Sequence, residues 1–460
     1  MLGASCAPRP YTPPTAPTPP AFKEDANWKP AAPSDEAIRG TWWDAFGDAD
    51  LNALEERINV SNLNLKVAAA QFEQARAAVR ESRAGLYPQV TSTPSITAAS
   101  TSLTRAAPGV PGNYGDFFLP VQATWEADVW GRVRQTVSAS RALAQASAAD
   151  VEVTRLSVHA ELASDYFSLR GLDSERQLLE TTVQAYQRAL DLTENRYRGG
   201  LASQADVALA QTQLEATRAQ AVDVQVERAA LEHAIAILIG EPPSTFALAA
   251  KELGAEPPQI PAGMPAALLE RRPDIASAER RVAAANAQVG VATAAYYPIL
   301  SLSAAGGFES ASISRWISGL SSFWAIGPTA AITIFDAGRR RAVAAGARAA
   351  YDQTIFEYQD SVLQALKEVE DNLAALRILE EEARVLAGAV DAANRSLTLA
   401  TNRYRGGVTS YLEVIAAQQA ALSTQRTALE IRTRRLVNSV LLIRALGGGW
   451  NVSTLPQAVQ

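Results

Sequence analysis

Apolar positions along this chain follow two periods that alternate in a fixed order. Over residues 131–198 and 338–405 no proline intervenes and small or apolar residues return at heptad spacing. Val137, Ala144, Val151 and Val158 mark the first stretch; Ile355, Val362, Val369 and Leu376 mark the second, with Leu366 and Leu373 interleaved. Each stretch predicts one continuous helix, a rod of roughly 100 Å. Propensity alone cannot hold such a rod in water, so it must bury a face against other helices. An alanine-rich helical segment ending at Pro88 or Pro298 precedes each rod, and a shorter helix follows it, running back to Gly240 or Gly447.

Between the first helix and the rod the period drops to two, the mark of strands. Leu119, Val121, Ala123, Trp125 and Ala127 fall on one face, with Gln122, Thr124, Glu126 and Asp128 on the other. Trp324, Ile326, Ala330, Ile332 and Ile334 likewise oppose Gly327, Thr329 and Thr333. Strands are expected at about 89–104, 117–128, 298–309 and 322–335. Strands of about ten residues with one apolar face suit a transmembrane barrel, but four cannot close one, and an open edge in lipid leaves backbone groups unpaired. Further copies would have to complete it, giving eight strands as a dimer or twelve as a trimer. A small sheet capping a soluble helical protein is the other reading of the same alternation.

The order is written twice. "NRYRGG" stands at 195–200 and again at 402–407, 207 positions apart, and Gly131 and Gly338, like Gly240 and Gly447, keep that offset. Pro88 and Pro298 differ by 210, so the strand segment between proline and glycine tolerates a change in length. Each hexapeptide reads as a helix stop followed by a start. Its arginines suit the negative helix end, and Gly199 or Gly406 is expected to take the left-handed cap. Ser203 with Asp206, and Ser410 with Glu413, have the spacing of a capping box that opens the next helix. Each repeat therefore bends at the end far from its strands.

Composition narrows the function. The 460 residues are 48% hydrophobic, enough for a core, and 42 basic against 48 acidic residues give a net charge of −6 with no long run of either sign. A nucleic-acid partner is not expected. His159, His233 and Cys6 are the whole His and Cys inventory, so a metal would have to rest on carboxylates alone. No phosphate-binding glycine loop, nucleophile elbow or zinc spacing occurs, and neither a catalytic role nor a cofactor is expected. No run of eighteen apolar residues occurs either, so membrane insertion would fall to strands. The opening "MLGASCAPRPYTPPTAPTPP" places Cys6 after small residues, like the end of a bacterial lipoprotein signal, although Leu2 stands one position too far ahead and no charged or full apolar region precedes it. The proline-rich run after it is expected to stay extended and uncompacted.

The stretch "LLERRPDIASAERRVAAANAQVGVATAAYYPILSLSAAGGF" resembles the signature of TolC-like outer-membrane efflux factors, in particular their lipoprotein branch. "WWDAFGDADLNALEERINVSNLNLKVAAAQFEQARA", the "FDAGRRR" at 335–341 and both "NRYRGG" tips fit the same family, over about 42–449. The resemblance implies a mainly α fold with transmembrane β-strands: two tandem repeats of long helical hairpins, trimerised into a twelve-stranded barrel continuous with a periplasmic helical tunnel. A lipoprotein linker at 1–40, repeats at 41–250 and 251–449 and a tail at 450–460 are the expected divisions. An inner-membrane RND-type pump and a periplasmic adaptor are the implied partners, outer-membrane lipid the surroundings, and acylated Cys6 the anchor. Glu413, Asp206, Tyr404 and Arg405 are the implied gate, with Ala416 where relatives place a second acidic ring. Gly199, Gly200, Leu201, Gly406, Gly407 and Val408 are the implied docking tips. A soluble periplasmic coiled-coil adaptor or scaffold shares the hairpins and is the first rival; a channel of type I protein secretion is the second.

Overall fold

The computed structural model describes residues 11–24, 41–100, 113–258, 260 and 268–450. Cys6 lies outside them. A short 3-10 turn, Trp42–Phe46, leads into α1 (Ala49–Ser61) and α2 (Leu63–Ala84). Strands β1 (Gln89–Thr91), β2 (Ser95–Ser100) and β3 (Asn113–Glu126) precede the rod α3 (Arg132–Arg198) and its return helix α4 (Gln204–Leu238). The second half repeats this with α5 (Leu268–Arg271), α6 (Pro273–Ala294), β4 (Ile299–Ser310), β5 (Ser322–Ala331), α7 (Arg339–Arg405) and α8 (Tyr411–Ala445). Matching elements have matching lengths: 67 residues in α3 and α7, 35 in α4 and α8, 22 in α2 and α6.

The helix ends explain why. Each rod starts at a left-handed glycine, Gly131 or Gly338. Each return helix closes on a glycine with positive φ, Gly240 or Gly447, that meets the start of its own repeat: a Cβ on Gly240 would lie 2.7 Å from the Ser61 carbonyl oxygen, and one on Gly447 would strike that of Arg271. Beside Gly240, the Asn62 side-chain amide donates to the Leu238 carbonyl (2.7 Å) while its oxygen accepts from Leu65 N at the start of α2 (3.0 Å). Beside Gly447, the Arg272 guanidinium donates to the Ala445 carbonyl. Each repeat is thus fastened shut at the end opposite its tip.

The main core gathers where α1, α3, α4, α6, α7 and α8 converge, around Leu51, Ile58, Leu162, Tyr166, Ile235, Ile275, Val369 and Leu436. The heptad residues Val137, Ala144 and Val158 of α3 and Val362, Val369, Leu373 and Leu376 of α7 are buried; Val151 is half-buried. His159 is in the core too, stacked on Trp43 and 2.5 Å from the carboxylate of Glu55. Past α4, the chain is strapped to α3 and α4 by Arg170 and Arg228, which donate to the carbonyls of Ala249 and Leu248.

Three expectations need correction. The first predicted strand is two, β1 and β2, interrupted at Pro94, which has no N–H to donate to a ladder. The last strand stops at Ala331, so Ile332 and Ile334 lie beyond it, exposed. The segment 11–24 is packed against the helices and not uncompacted: Phe22 is buried in the core, Tyr11 donates to Glu279 of α6, and Glu24 pairs with Arg377 of α7.

The strands form one antiparallel sheet in the order β1-β3-β4-β5, with β2 also on β3. The register places Val90, Ala123, Ala304 and Ile326 side by side, then Val121, Gly306 and Trp324, then Trp125, Leu302 and Pro328, all on one face. Gln122, Thr124, Ser301, Ser303 and Thr329 share the other. From Phe117, which packs on Trp316, to Trp125 the apolar face of β3 runs for about 26 Å along the strand, close to the roughly 9–11 residues that a tilted strand needs to cross a bilayer.

Candidate functional site at the hairpin tips

The two turns far from the sheet share one backbone scheme. Leu201 N donates to the Arg196 carbonyl and Val408 N to that of Arg403, each closing the turn through a glycine in the left-handed region. That glycine is the second of each pair, Gly200 (φ +73°) and Gly407 (φ +74°). Gly199 and Gly406, the expected left-handed caps, have φ of −84° and −74° and simply end the helix. All four are exposed, as are Leu201 and Val408 at the outermost points.

Beyond the turn the copies part. Ser203 forms the expected box: Asp206 N donates to its hydroxyl (3.1 Å), and the Asp206 carboxylate accepts from Ser203 N (2.9 Å) and Oγ (2.8 Å). Ser410 makes no side-chain cap. Glu413, longer by one methylene, directs its carboxylate toward Arg403, at 3.6 Å, with both groups exposed. The expected second capping box is therefore absent.

Tyr404 is not in a solvated last turn. It is 4% exposed, its ring 5.1 Å from that of Tyr411, in a small second core with Tyr186, Leu190, Leu214 and Val414. Burial pushes the Tyr411 phenol up to about 12, and that of Tyr186 upward as well. The Tyr404 hydroxyl reaches Thr193 Oγ1 of α3 at a long 3.4 Å, and the Arg196 guanidinium lies over the Tyr404 ring, 4.8 Å from its centroid. Arg196 also donates to the carbonyl of Arg405 (3.0 Å). The Arg405 side chain is exposed; its backbone makes this contact. Asp206 and Glu413 sit near this lock without entering it. Arg196, Thr193 and Arg403 were not singled out by the sequence, where both arginines read only as favourable last-turn charge.

Among the described residues no helix is long and apolar enough to cross a membrane. Long hairpins fastened at one end, joined at the other and carrying an antiparallel sheet with one apolar face define a TolC-like outer-membrane channel protein. The family model for outer membrane efflux proteins matches residues 55–241 and 264–448. The chain belongs to that family and is an outer-membrane efflux channel protein. Probable efflux pump outer membrane protein TtgC of Pseudomonas putida is 30% identical over 447 residues, 96% of this chain and 92% of that one. Cation efflux system protein CusC of Escherichia coli is 29% identical over 453 residues, 98% and 96% of the two chains. The solved outer-membrane channel OprN superposes with a TM-score of 0.89 at 32% identity, over 97% of this chain and 99% of its own. The Campylobacter jejuni CmeC outer membrane channel gives 0.90 at 25% identity, over 96% and 95%.

Proposed function

We propose that three copies close head to tail into one exit duct, a twelve-stranded barrel in the outer membrane continued by a helical tunnel. The observation that carries this reading is what α7 lacks. α3 packs along α2, α4, α6 and α8, whereas α7, its counterpart, packs along α6 and α8. Its remaining face presents Phe356 (67% exposed), Val385 (65%) and Leu399 (63%). The places of α2 and α4 beside α7 fit the α2 and α4 of a next copy, whose Val67, Val222 and Val226 are exposed in turn. The sheet agrees: β5 is one edge and β1 with β2 the other, so β5 of one copy can pair with the next and leave no edge in lipid. A head-to-tail contact closes into a ring where its rotation divides a full turn, and a barrel without an open edge in lipid requires that closure.

In this reading the duct performs no chemical step. An inner-membrane RND-type pump supplies the energy, a periplasmic adaptor joins it at Gly199, Gly200, Leu201, Gly406, Gly407 and Val408, and acylated Cys6 adds a lipid anchor. Relatives named as efflux pump outer membrane proteins support the pump partnership. Tyr404 and Arg405, with Asp206 and Glu413 beside them, form the gate. The test is the native mass of the detergent-extracted protein: three chains are expected, and Phe356→Asp with Val385→Asp should yield single chains. A wild-type protein that runs as a monomer overturns the ring.

A further inference from the structure

The two junctions where a strand hands over to a rod share their arginines but not their carboxylates. At the first, both oxygens of Glu126 accept from Arg132 (2.9 and 2.6 Å), and the Asp128 carboxylate accepts from Arg134 at 3.1 Å. The counterparts 207 positions on are Arg339 and Arg341, and in place of Glu126 stands Thr333. The carboxylate left there, Asp336, is taken by Arg340, whose Nε donates to it at 2.7 Å and whose backbone amide donates at 3.2 Å. Among the described residues Arg339 and Arg341 form no side-chain hydrogen bond or ion pair, nor does Arg348 two turns on, and all three are exposed. Residues 339–351 carry four arginines and no acidic side chain. The apolar side chains differ in the same sense. At the first junction Trp130 is tied down, stacked on Tyr297 and donating its indole N–H to the Pro298 carbonyl (2.8 Å). At the second, Ile332 is 60% exposed and Ile334 93%, and both continue the even-numbered row that carries Trp324, Ile326 and Pro328 on the apolar face of the sheet.

We propose that the junction of β5 and α7 binds an anionic phospholipid of the periplasmic leaflet, its phosphate against Arg341 with Arg339 and Arg348 beside it, its acyl chains against Ile332 and Ile334. A helix returns to the same side after about five turns, so Arg341, Gln359 and Arg377 lie in one line along α7, with Arg348 about 20° away. Gln359 and Arg377 hold the N-terminal segment 11–24, donating to the Thr15 carbonyl and pairing with Glu24. Arg341 and Arg348 lie on the stretch of that line nearer the sheet. Guanidiniums without carboxylates suit a phosphate, to which they present paired donors. Basic side chains at the edge of a membrane's apolar band draw anionic headgroups. The exposed isoleucines beside them select a lipid over an ion that stays in water. One such site falls on each chain, because the first junction is neutralised within itself. It needs only that the sheet lie in the membrane, whatever the number of copies around it.

Native mass spectrometry of the detergent-extracted, delipidated protein tests this by counting lipids on the intact assembly. With phosphatidylglycerol added, the wild type should retain one lipid per chain in preference to phosphatidylethanolamine, and an excess of inorganic phosphate should not displace it. Arg339→Gln, Arg341→Gln and Arg348→Gln together should weaken that retention by at least about tenfold, a modest share of what three basic residues contribute near an anionic surface. Thr333→Glu keeps every arginine but supplies the missing counterpart of Glu126, and should weaken retention too. Ile332→Ser with Ile334→Ser should weaken it through the acyl chains alone. Arg198→Gln, the same loss of charge at the far tip, should leave it unchanged. Equal retention of the two lipids by the wild type, or full retention by both the triple variant and Thr333→Glu, overturns the site. Displacement by inorganic phosphate makes it a plain anion site and overturns the lipid. A triple variant that loses its assembly while its separated chains keep the lipid shows that the arginines serve a contact between copies, which refutes the proposal.

Discussion

Replacing Arg196 with alanine removes a side chain that joins the first tip to the second by two contacts at once. The guanidinium over the Tyr404 ring contributes about 0.5–1 kcal/mol at a partly exposed site. Its hydrogen bond to the Arg405 carbonyl adds about 1–1.5 kcal/mol, at the low end for a charged donor because water reaches the group. Together they hold each α3 tip to its α7 tip by about 2 kcal/mol, so the separated state of that pair should become about thirtyfold more populated. Planar-bilayer recordings of the purified channel should then show higher basal conductance, with Arg196→Lys in between, since lysine keeps the charge but not the planar fork. Arg198→Ala is the matched control: the same charge is lost from the same turn, but that guanidinium reaches only Asn195 of its own helix. A second substitution, Tyr404→Leu, should cost less in the Arg196→Ala background than in the wild type, because half of the coupling is already gone. Equal conductance in the wild type, Arg196→Ala and Arg198→Ala, with the assembly intact, would refute the lock.

Two further outcomes follow from the opposite end of the hairpins. Burial holds the Glu55 carboxyl well above its ordinary value of 4.5, so its share of stability is full below that pH and is lost as pH rises through the folded value. Glu55→Gln, which can still donate to His159 Nδ1, should therefore match the wild type in thermal unfolding near pH 4.5 and exceed it at pH 8; a gap that does not change with pH refutes this. Gly240→Ala combines left-handed strain with a clash against the Ser61 carbonyl and should cost about 2–4 kcal/mol by thermal unfolding followed by circular dichroism. Gly200→Ala, at nearly the same φ but with open space around it, should cost only about 1–2 kcal/mol, and equal losses would show that the close approach at Gly240 is immaterial.

The rods, the return helices and the strand faces were legible because each repeats a local rule many times. Sixty-seven residues without proline and with heptad burial leave little room for another outcome, and α3 and α7 begin within one residue of the predicted glycines. Single residues escaped where one position outweighs the pattern around it. Pro94 splits a strand that alternation alone would run through. Phe22, an isolated aromatic in a proline-rich run, docks the segment expected to stay free, because a groove beside α6 and α7 exists only after those helices have packed.

The tip shows the limit of a repeat as evidence. Duplication correctly announced two equal turns, since a turn is set by the residues that form it: both use the same glycine, the same carbonyls and nearly the same φ. It could not announce that Tyr404 is buried while Tyr197, in the same hexapeptide, is exposed, because burial depends on what the other repeat brings alongside. The two copies also differ at the acidic position ten residues past each first arginine, Asp206 against Glu413. The Asp206 carboxylate is bonded to its own serine while Arg196 reaches across; Ser410 makes no side-chain cap, and Arg403 stays beside Glu413. Which of the two identical arginines joins the hairpins thus goes with whether the acidic residue of its own hairpin is held in a capping box.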